Sequence, residues 1–315
     1  MTLHADSEPD LAGASILVLG AGGMLGRAWR DRHTRAPMPG RAVFLDHGAC
    51  DITRANDLER AIPPGTGAVL NCAGWTDVDK AETHEEDAMR LNAEPIRALA
   101  ERCRSVGATL VHYSSDYVFD GRATTPYPVD HPRHPINAYG RSKAAGEHAL
   151  EQSGADFLLI RTSWLYAAHG ENFVRTIARL CREKPSLRVV DDQIGRPTSC
   201  DTLVGVTLRL LDRGARGIYH GCNEGSCSWC GFARAIAARM NPGCAIEPCT
   251  TVEFPRPAPR PPSSVLDLSK TTRAIGPILP WEEALAPVLA RLGAPSDEVS
   301  PDAAPPRTPT ATPSS

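Results

Sequence analysis

The sequence predicts an α/β protein built on a doubly wound parallel sheet, with a smaller α/β lobe toward the C-terminus. Three observations lead there. Short apolar runs alternate with longer stretches of helical period between residues 14 and 165, the pattern of successive βαβ units. A glycine-rich segment, Gly20-Ala-Gly-Gly-Met-Leu-Gly26, joins the first apolar run to the first helical stretch. Beyond residue 165 the alternation weakens, and strand-like and helix-like pieces follow with less regular spacing.

Residues 16–19, 42–45, 68–71, 109–113 and 157–160 are continuous, rich in β-formers and short, as central strands buried on both faces should be. Residues 24–33 read as the helix after the glycine segment, and further helices fit the remaining gaps. In the second half, 187–190 and 217–220 read as strands, and the five prolines within 253–262 force extended loop. Residues 1–13 lack any period and 294–315 consist largely of Pro, Ser, Thr and Ala, so both ends are expected to be disordered. The expected organisation is a mainly dinucleotide-binding domain over 14–165 and a mainly substrate-binding lobe over 166–293, with some interleaving.

Composition excludes several classes. Lys plus Arg is 34 against 37 Asp plus Glu, a net charge of −3, without the basic excess that nucleic-acid binding demands. No apolar run approaches the roughly 18–20 residues of a membrane span, and the first residues lack a signal peptide's basic and apolar regions. A cytoplasmic protein without a membrane partner is expected, so its ten cysteines read as reduced thiols. Cys222, Cys227 and Cys230, with Cys244 and Cys249 beyond, match no standard zinc or iron–sulfur spacing and read as structural thiols.

Two constellations carry chemistry. In the first, Gly20, Gly23 and Gly26 let the chain turn tightly and approach a pyrophosphate, while the following helix offers unpaired N–H groups. Asp46 lies 20 residues beyond Gly26, at the end of the second strand, where a carboxylate can bond an adenosine ribose. That favours NAD, and Arg27 leaves NADP open; a ligand-free tight turn is the plain alternative. In the second, Tyr139 and Lys143 stand at i and i+4 on one helix face, after a strand that ends in Tyr113-Ser-Ser115-Asp116. An ammonium at about 4 Å from the phenol would contribute up to roughly 4 kcal/mol, bringing it from about 10 toward about 7, a useful general acid. Ser115 would polarise a carbonyl.

These segments, with Asn71-Cys-Ala-Gly-Trp-Thr-Asp-Val-Asp-Lys-Ala-Glu82, Tyr113-Ser-Ser-Asp-Tyr-Val-Phe-Asp-Gly121, Arg161-Thr-Ser-Trp-Leu-Tyr166, Asp192-Gln-Ile-Gly-Arg-Pro-Thr198 and Arg260-Pro-Pro-Ser-Ser-Val-Leu266, resemble the extended short-chain dehydrogenase/reductases. Within their sugar-nucleotide branch the chain resembles the dTDP-4-dehydrorhamnose reductase family, over residues 14–292. The resemblance implies a Rossmann-like fold and NADPH- or NADH-dependent reduction of the C4 ketone of a dTDP-6-deoxy-4-keto-hexose. It implies that Gly23, Met24 and Leu25 meet the pyrophosphate, and Asp46, Asp51 and Ile52 the adenosine end. Gly74, Trp75 and Thr76 would flank the ribose and nicotinamide with Tyr113, Tyr139 and Lys143. Ser115, Asp116, Trp164 and Arg260 would face the sugar nucleotide, with Tyr139 as proton donor. It leaves room for Mg2+, with no ligands assignable, and for a homodimer. Ser115 stands where the family often has Thr, keeping the hydroxyl, and Pro262-Ser263 replace Gly-Asn in the second lobe, which bears on sugar identity. Tyr117 after Asp116 disfavours a 4,6-dehydratase, whose relatives carry a second carboxylate there. A 4-epimerase and a non-catalytic subunit like the regulatory subunit of methionine adenosyltransferase stay open.

Overall fold

The computed structural model describes residues 14–38 and 40–293, so the two end segments singled out above lie outside the described residues. The chain begins with β1 (Ala14–Leu19), α1 (Met24–Arg35), β2 (Arg41–Leu45), α2 (Ala55–Ala61) and β3 (Ala68–Asn71). Three helices, α3 (Val78–Ala81), α4 (Glu85–Asn92) and α5 (Glu94–Val106), lead to β4 (Thr109–Ser115). A single 3-10 turn at Asp116–Val118 and the helix α6 (Ala138–Glu151) then precede β5 (Phe157–Thr162). β4 and β5 each run two residues beyond their apolar cores. Polar Ser114 and Ser115 stay in register with Arg161 and Thr162, and Arg161 meets a buried carboxylate rather than water.

The second half holds β6 (Leu165–Tyr166), α7 (Phe173–Glu183), β7 (Ser186–Val190), β8 (Ile194–Gly195), β9 (Thr198–Ser199) and α8 (Cys200–Asp212). It continues through β10 (Gly217–His220), β11 (Cys227–Ser228), α9 (Trp229–Met240), β12 (Ala245–Cys249), α10 (Ser269–Ile275) and α11 (Trp281–Gly293).

Six strands form the main sheet, all parallel, in the order β2-β1-β3-β4-β5-β10. Successive side chains alternate between two buried layers, which explains why these strands read as unbroken apolar runs. Val18, Leu70, Val111, Leu158 and Ile160 pack with Trp29 of α1 and Leu203, Val206 and Leu210 of α8. Leu17, Leu19, Val69, Leu110 and Leu159 pack on the other face with Leu58, Ile96, Leu99, Cys103 and Leu150. From β1 the chain first builds outward to β2 and then inward to β3, so the order reverses between β1 and β3. The crevice past their carboxyl ends is where a doubly wound sheet takes its ligand.

The strand expected at 217–220 is the edge of this first sheet, paired with β5, so the chain returns there after entering the second lobe. That lobe is a parallel β7–β12 pair covered by α7, α9 and α11 around Tyr166, Phe232 and Trp281. The proline-rich 253–262 run has neither helix nor strand and straps the lobes together. At one end Thr251 bonds Asp192; at the other Arg256, Arg260 and the Ala258 N–H converge on the Asp79 carboxylate.

Candidate active site

The crevice begins at the β1–α1 turn. Gly20 has φ +73°, and a Cβ there would lie 2.5 Å from the Ala73 nitrogen of the β3 loop. A Cβ at Gly26 would overlap the Gly20 carbonyl oxygen and Ala21, so this glycine lets α1 pack onto its own turn. Gly23 is different, because a Cβ there would meet nothing nearer than Gly20 O at 3.4 Å, an ordinary contact. It caps α1 without a side-chain bond, and no acid stands in the first turn, so the helix start at Met24 and Leu25 suits an anion. Asp46 is exposed at the end of β2, its Cβ 3.6 Å from where a Gly22 Cβ would lie, and accepts from the Ala49 N–H at 3.1 Å. Asp51 accepts two bonds from Thr53, which together with Arg54 and His47 hold its carboxyl below the usual range, and Ile52 is buried beside it. These residues fit the pyrophosphate and adenosine half of a dinucleotide.

The other wall is the β3 loop. Asn92, buried at the end of α4, accepts from the Trp75 N–H at 2.9 Å and donates to the Trp75 carbonyl and to Ser142 Oγ. It clamps Gly74, Trp75 and Thr76 onto α6, with a Gly74 Cβ position 3.9 Å from Lys143 Nζ. Sequence reasoning passed over Asn92; its one signal is a polar residue at a core position between two helices.

Helix α6 starts at Asn137, which caps the Gly140 N–H, while Glu82 accepts from the Ala138 N–H at 2.8 Å. The helix brings Tyr139 and Lys143 against the end of β4. Lys143 Nζ donates to the Tyr113 carbonyl at 2.7 Å, and burial brings its ammonium down to about 8, with Glu147 opposing. Burial also pushes the Tyr139 phenol up to about 12, with the Ser115 hydroxyl lowering it and the Asp116 carboxylate raising it. The expected pull of Lys143 toward about 7 is therefore corrected: helix spacing placed the ammonium on the right face, but it bonds the β4 backbone and desolvation governs the phenol. At neutral pH Tyr139 is a protonated donor. Tyr113 offers the crevice its carbonyl, since its phenol lies in the core between Trp29 and Thr207.

At the carboxyl end of β4, Ser115 Oγ donates to Asp116 Oδ1 at 2.9 Å and accepts from the Tyr117 N–H. Burial raises the Asp116 carboxyl to about 7 against hydrogen bonds from Ser264 and Ser115. Trp164 adopts φ +46° and stacks flat on Trp229 at 3.5 Å, and a Cβ at Gly195 would overlap its indole, which is what the glycine of the 192–198 motif is for. Arg260 Nη1 reaches Asp79 at 2.8 Å; burial alone would raise that carboxyl, but Arg260, Arg256 and the Ala258 N–H hold it down to about 2. The 78–82 motif thus anchors the strap through Asp79 and caps α6 through Glu82. The structure brings Ser115, Asp116, Tyr139 and Lys143 together; it places Trp164 against Trp229 and Arg260 on Asp79.

All ten cysteines are free thiols, and Cys227 and Cys230 flank the Ser228 cap of α9. Among the described residues no group of three or more His, Cys, Asp or Glu could hold a metal ion, so Mg2+ finds no ligand set. Nor is any described helix long and apolar enough to cross a membrane.

A glycine turn at the switch point and a Ser, Tyr, Lys group on β4 and α6 define a Rossmann-type protein of the short-chain dehydrogenase/reductase class. Residues 14–294 match the family described as RmlD substrate binding domain, and the chain belongs to that family. It is 39% identical over 302 residues to dTDP-4-dehydrorhamnose reductase of Mycolicibacterium smegmatis, covering 93% of this chain and 91% of that one. The crystal structure of a dTDP-4-dehydrorhamnose reductase from Clostridium acetobutylicum superposes with a TM-score of 0.83 at 36% identity, over 88% of this chain and 99% of the other. The enzyme of that name from Bacillus anthracis, in complex with NADP, gives 0.82 at 33% identity, over 87% and 98%.

Proposed function

We propose that this chain reduces the C4 ketone of dTDP-4-dehydro-6-deoxy-L-mannose, yielding dTDP-L-rhamnose. The observation that carries the reading is the convergence of Ser115, Tyr139 and Lys143 at the carboxyl edge of the sheet, beside the Gly20–Gly26 turn, in a chain that matches the rhamnose reductases across both lobes. A reduced nicotinamide, when bound, supplies the hydride.

The chain's own residues do the rest. Tyr139, protonated throughout the neutral range, gives its proton to the oxygen that becomes an alkoxide. Ser115 donates a hydrogen bond to the same oxygen and stabilises the developing charge. Lys143, held at the end of β4 by the Tyr113 carbonyl, would bind the ribose of the dinucleotide. The Gly23 helix start and Asp46 orient the dinucleotide, and Asn92 keeps the β3 loop against Lys143. Tyr117 occupies the place where elimination would require a second carboxylate, which supports reduction over dehydration.

The test is consumption of NADPH and of NADH with dTDP-4-keto-6-deoxyglucose, with and without a 3,5-epimerase. Oxidation that needs the epimerase and yields dTDP-L-rhamnose supports the proposal and ranks the cofactors. Interconversion of sugars without net cofactor oxidation would replace it with a 4-epimerase.

A further inference from the structure

We infer that Asp116 is the positioning residue that sets the direction of the Ser115 hydroxyl: as a neutral carboxylic acid it donates to Ser115 Oγ and frees the Ser115 proton for the substrate ketone. The inference rests on the reductase reading above and assigns a protonation state to its site.

A serine hydroxyl has one proton to give and two lone pairs to receive with. Ser115 Oγ accepts from the Tyr117 N–H at 3.1 Å, engages the Tyr139 phenol, and donates to Asp116 Oδ1 at 2.9 Å. Its single proton is therefore committed to a carboxylate. A ketone oxygen can only accept, so Ser115 cannot polarise it while that bond stands. Two resolutions exist, that Asp116 swings away or that it carries a proton and reverses the bond. The site favours the second. Asp116 is 2% exposed, with Oδ1 on Ser115 Oγ and Ser264 close enough to act on its carboxyl. Its Oδ2 is fully buried without a hydrogen-bond partner, an expensive place for half of a carboxylate charge.

The groups facing Asp116 do not supply a counter-charge. Tyr117 lies on its own turn, Tyr139 comes from α6, Ser264 from the strap's far end and Cys222 from the loop after β10, all uncharged at neutral pH. Of the cations around the site, Arg260 acts on Tyr117 and is paired with Asp79, Arg196 acts on Cys222, and Lys143 Nζ is bonded to the Tyr113 carbonyl. Burial raises the Asp116 carboxyl to about 7, so the two forms exchange within the working range. Below that point Asp116 donates, Ser115 turns its proton outward, and the ketone meets two donors, Ser115 and Tyr139. Above it Ser115 turns back. No proton leaves Asp116 in the reaction; the proton the alcohol gains is that of Tyr139.

The experiment compares wild type with Asp116→Asn, following kcat/KM for the sugar nucleotide at saturating NADPH from about pH 5.5 to 9, with NADPH affinity measured at each pH. The wild type is expected to lose about tenfold per pH unit above a knee near 7. Asp116→Asn, whose amide stays neutral and can donate to Ser115, is expected to stay flat through 7 and to fall only above about 8, where the Lys143 ammonium gives up its proton. A wild type with no knee near 7, or a variant that keeps that knee, overturns the inference. Infrared spectra of unliganded wild type give a second reading independent of turnover and of the variant's folding. A protonated-carboxyl band that persists at about pH 6 and vanishes by about pH 8 supports the inference, and its absence at about pH 6 overturns it. Failure of the reductase reading shows separately, as folded protein that binds NADPH and oxidises none at any pH.

Discussion

Replacing Glu147 with Gln should damage both stability and the charge on Lys143. Glu147 is fully buried on α6 and accepts from Arg161 Nε at 2.9 Å, Arg161 Nη2 at 2.8 Å and Arg133 Nη1 at 3.0 Å. Those bonds hold its carboxyl below its usual range although burial works against them. Glutamine keeps the shape, but its NH2 cannot accept, so at least one guanidinium N–H faces a donor and Arg161, 2% exposed, is left without a counter-charge. Breaking a buried pair in this way costs about 3–5 kcal/mol, a large share of the roughly 5–15 kcal/mol by which domains are stable. The second effect reaches the site. Glu147 is the group that opposes the burial of Lys143, so without it the ammonium falls below about 8 and loses its charge within the neutral range. Urea unfolding at about pH 7.5 measures the first effect, and the alkaline limb of kcat in whatever fraction folds measures the second. A stability loss under about 1 kcal/mol at unchanged m-value, or an unmoved kcat profile, would refute this account of the network.

Tyr139→Phe should cut turnover by at least about 100-fold while isothermal titration finds the sugar nucleotide bound within a few-fold of wild type. Gly26→Ala should destabilise the fold by roughly 1–3 kcal/mol, whereas Gly23→Ala should melt normally and lose the thermal stabilisation that NADPH confers; equal behaviour of the two in melts with and without NADPH would contradict the distinction. Asp116→Asn should stabilise the protein increasingly as pH rises. In the wild type the unfolded carboxyl ionises above 3.8 while the folded one keeps its proton to about 7, so stability is lost across that window. Relative to wild type the variant should gain about 2–3 kcal/mol between about pH 5 and 8, and a constant difference in melting at the two pH values would contradict this.

What the sequence revealed and what it hid divide along physical lines. β3 was legible to the residue because apolar Ala68–Leu70 ends in a polar Asn and loop. β4 and β5 read short because polar Ser114, Ser115 and Arg161 break the apolar runs, and partners distant in sequence, the buried carboxylate of Glu147 and the Val129 carbonyl, let Arg161 continue a strand. The 217–220 strand was legible as a strand, but its return to the first sheet depends on long-range pairing with β5 that periodicity does not encode. In the site, i,i+4 spacing correctly put Tyr139 and Lys143 on one face of α6. It could not tell that Lys143 would bond the Tyr113 carbonyl, nor that burial would outweigh any charge near the phenol. Asn92, Ser264 and Asp79 act through contacts 17, 148 and 181 residues distant in sequence, and such partners are invisible to local pattern.

The central claim is that this chain delivers a hydride to C4 of the sugar while Tyr139 supplies the proton. The most direct measurement uses NADPH carrying deuterium at the transferable nicotinamide position, the sugar nucleotide and the epimerase, with the product read by NMR and mass spectrometry. The account predicts dTDP-L-rhamnose with one deuterium at C4 from wild type and almost none formed by Tyr139→Phe. Product without deuterium at C4, or unimpaired deuterated product from Tyr139→Phe, would contradict it.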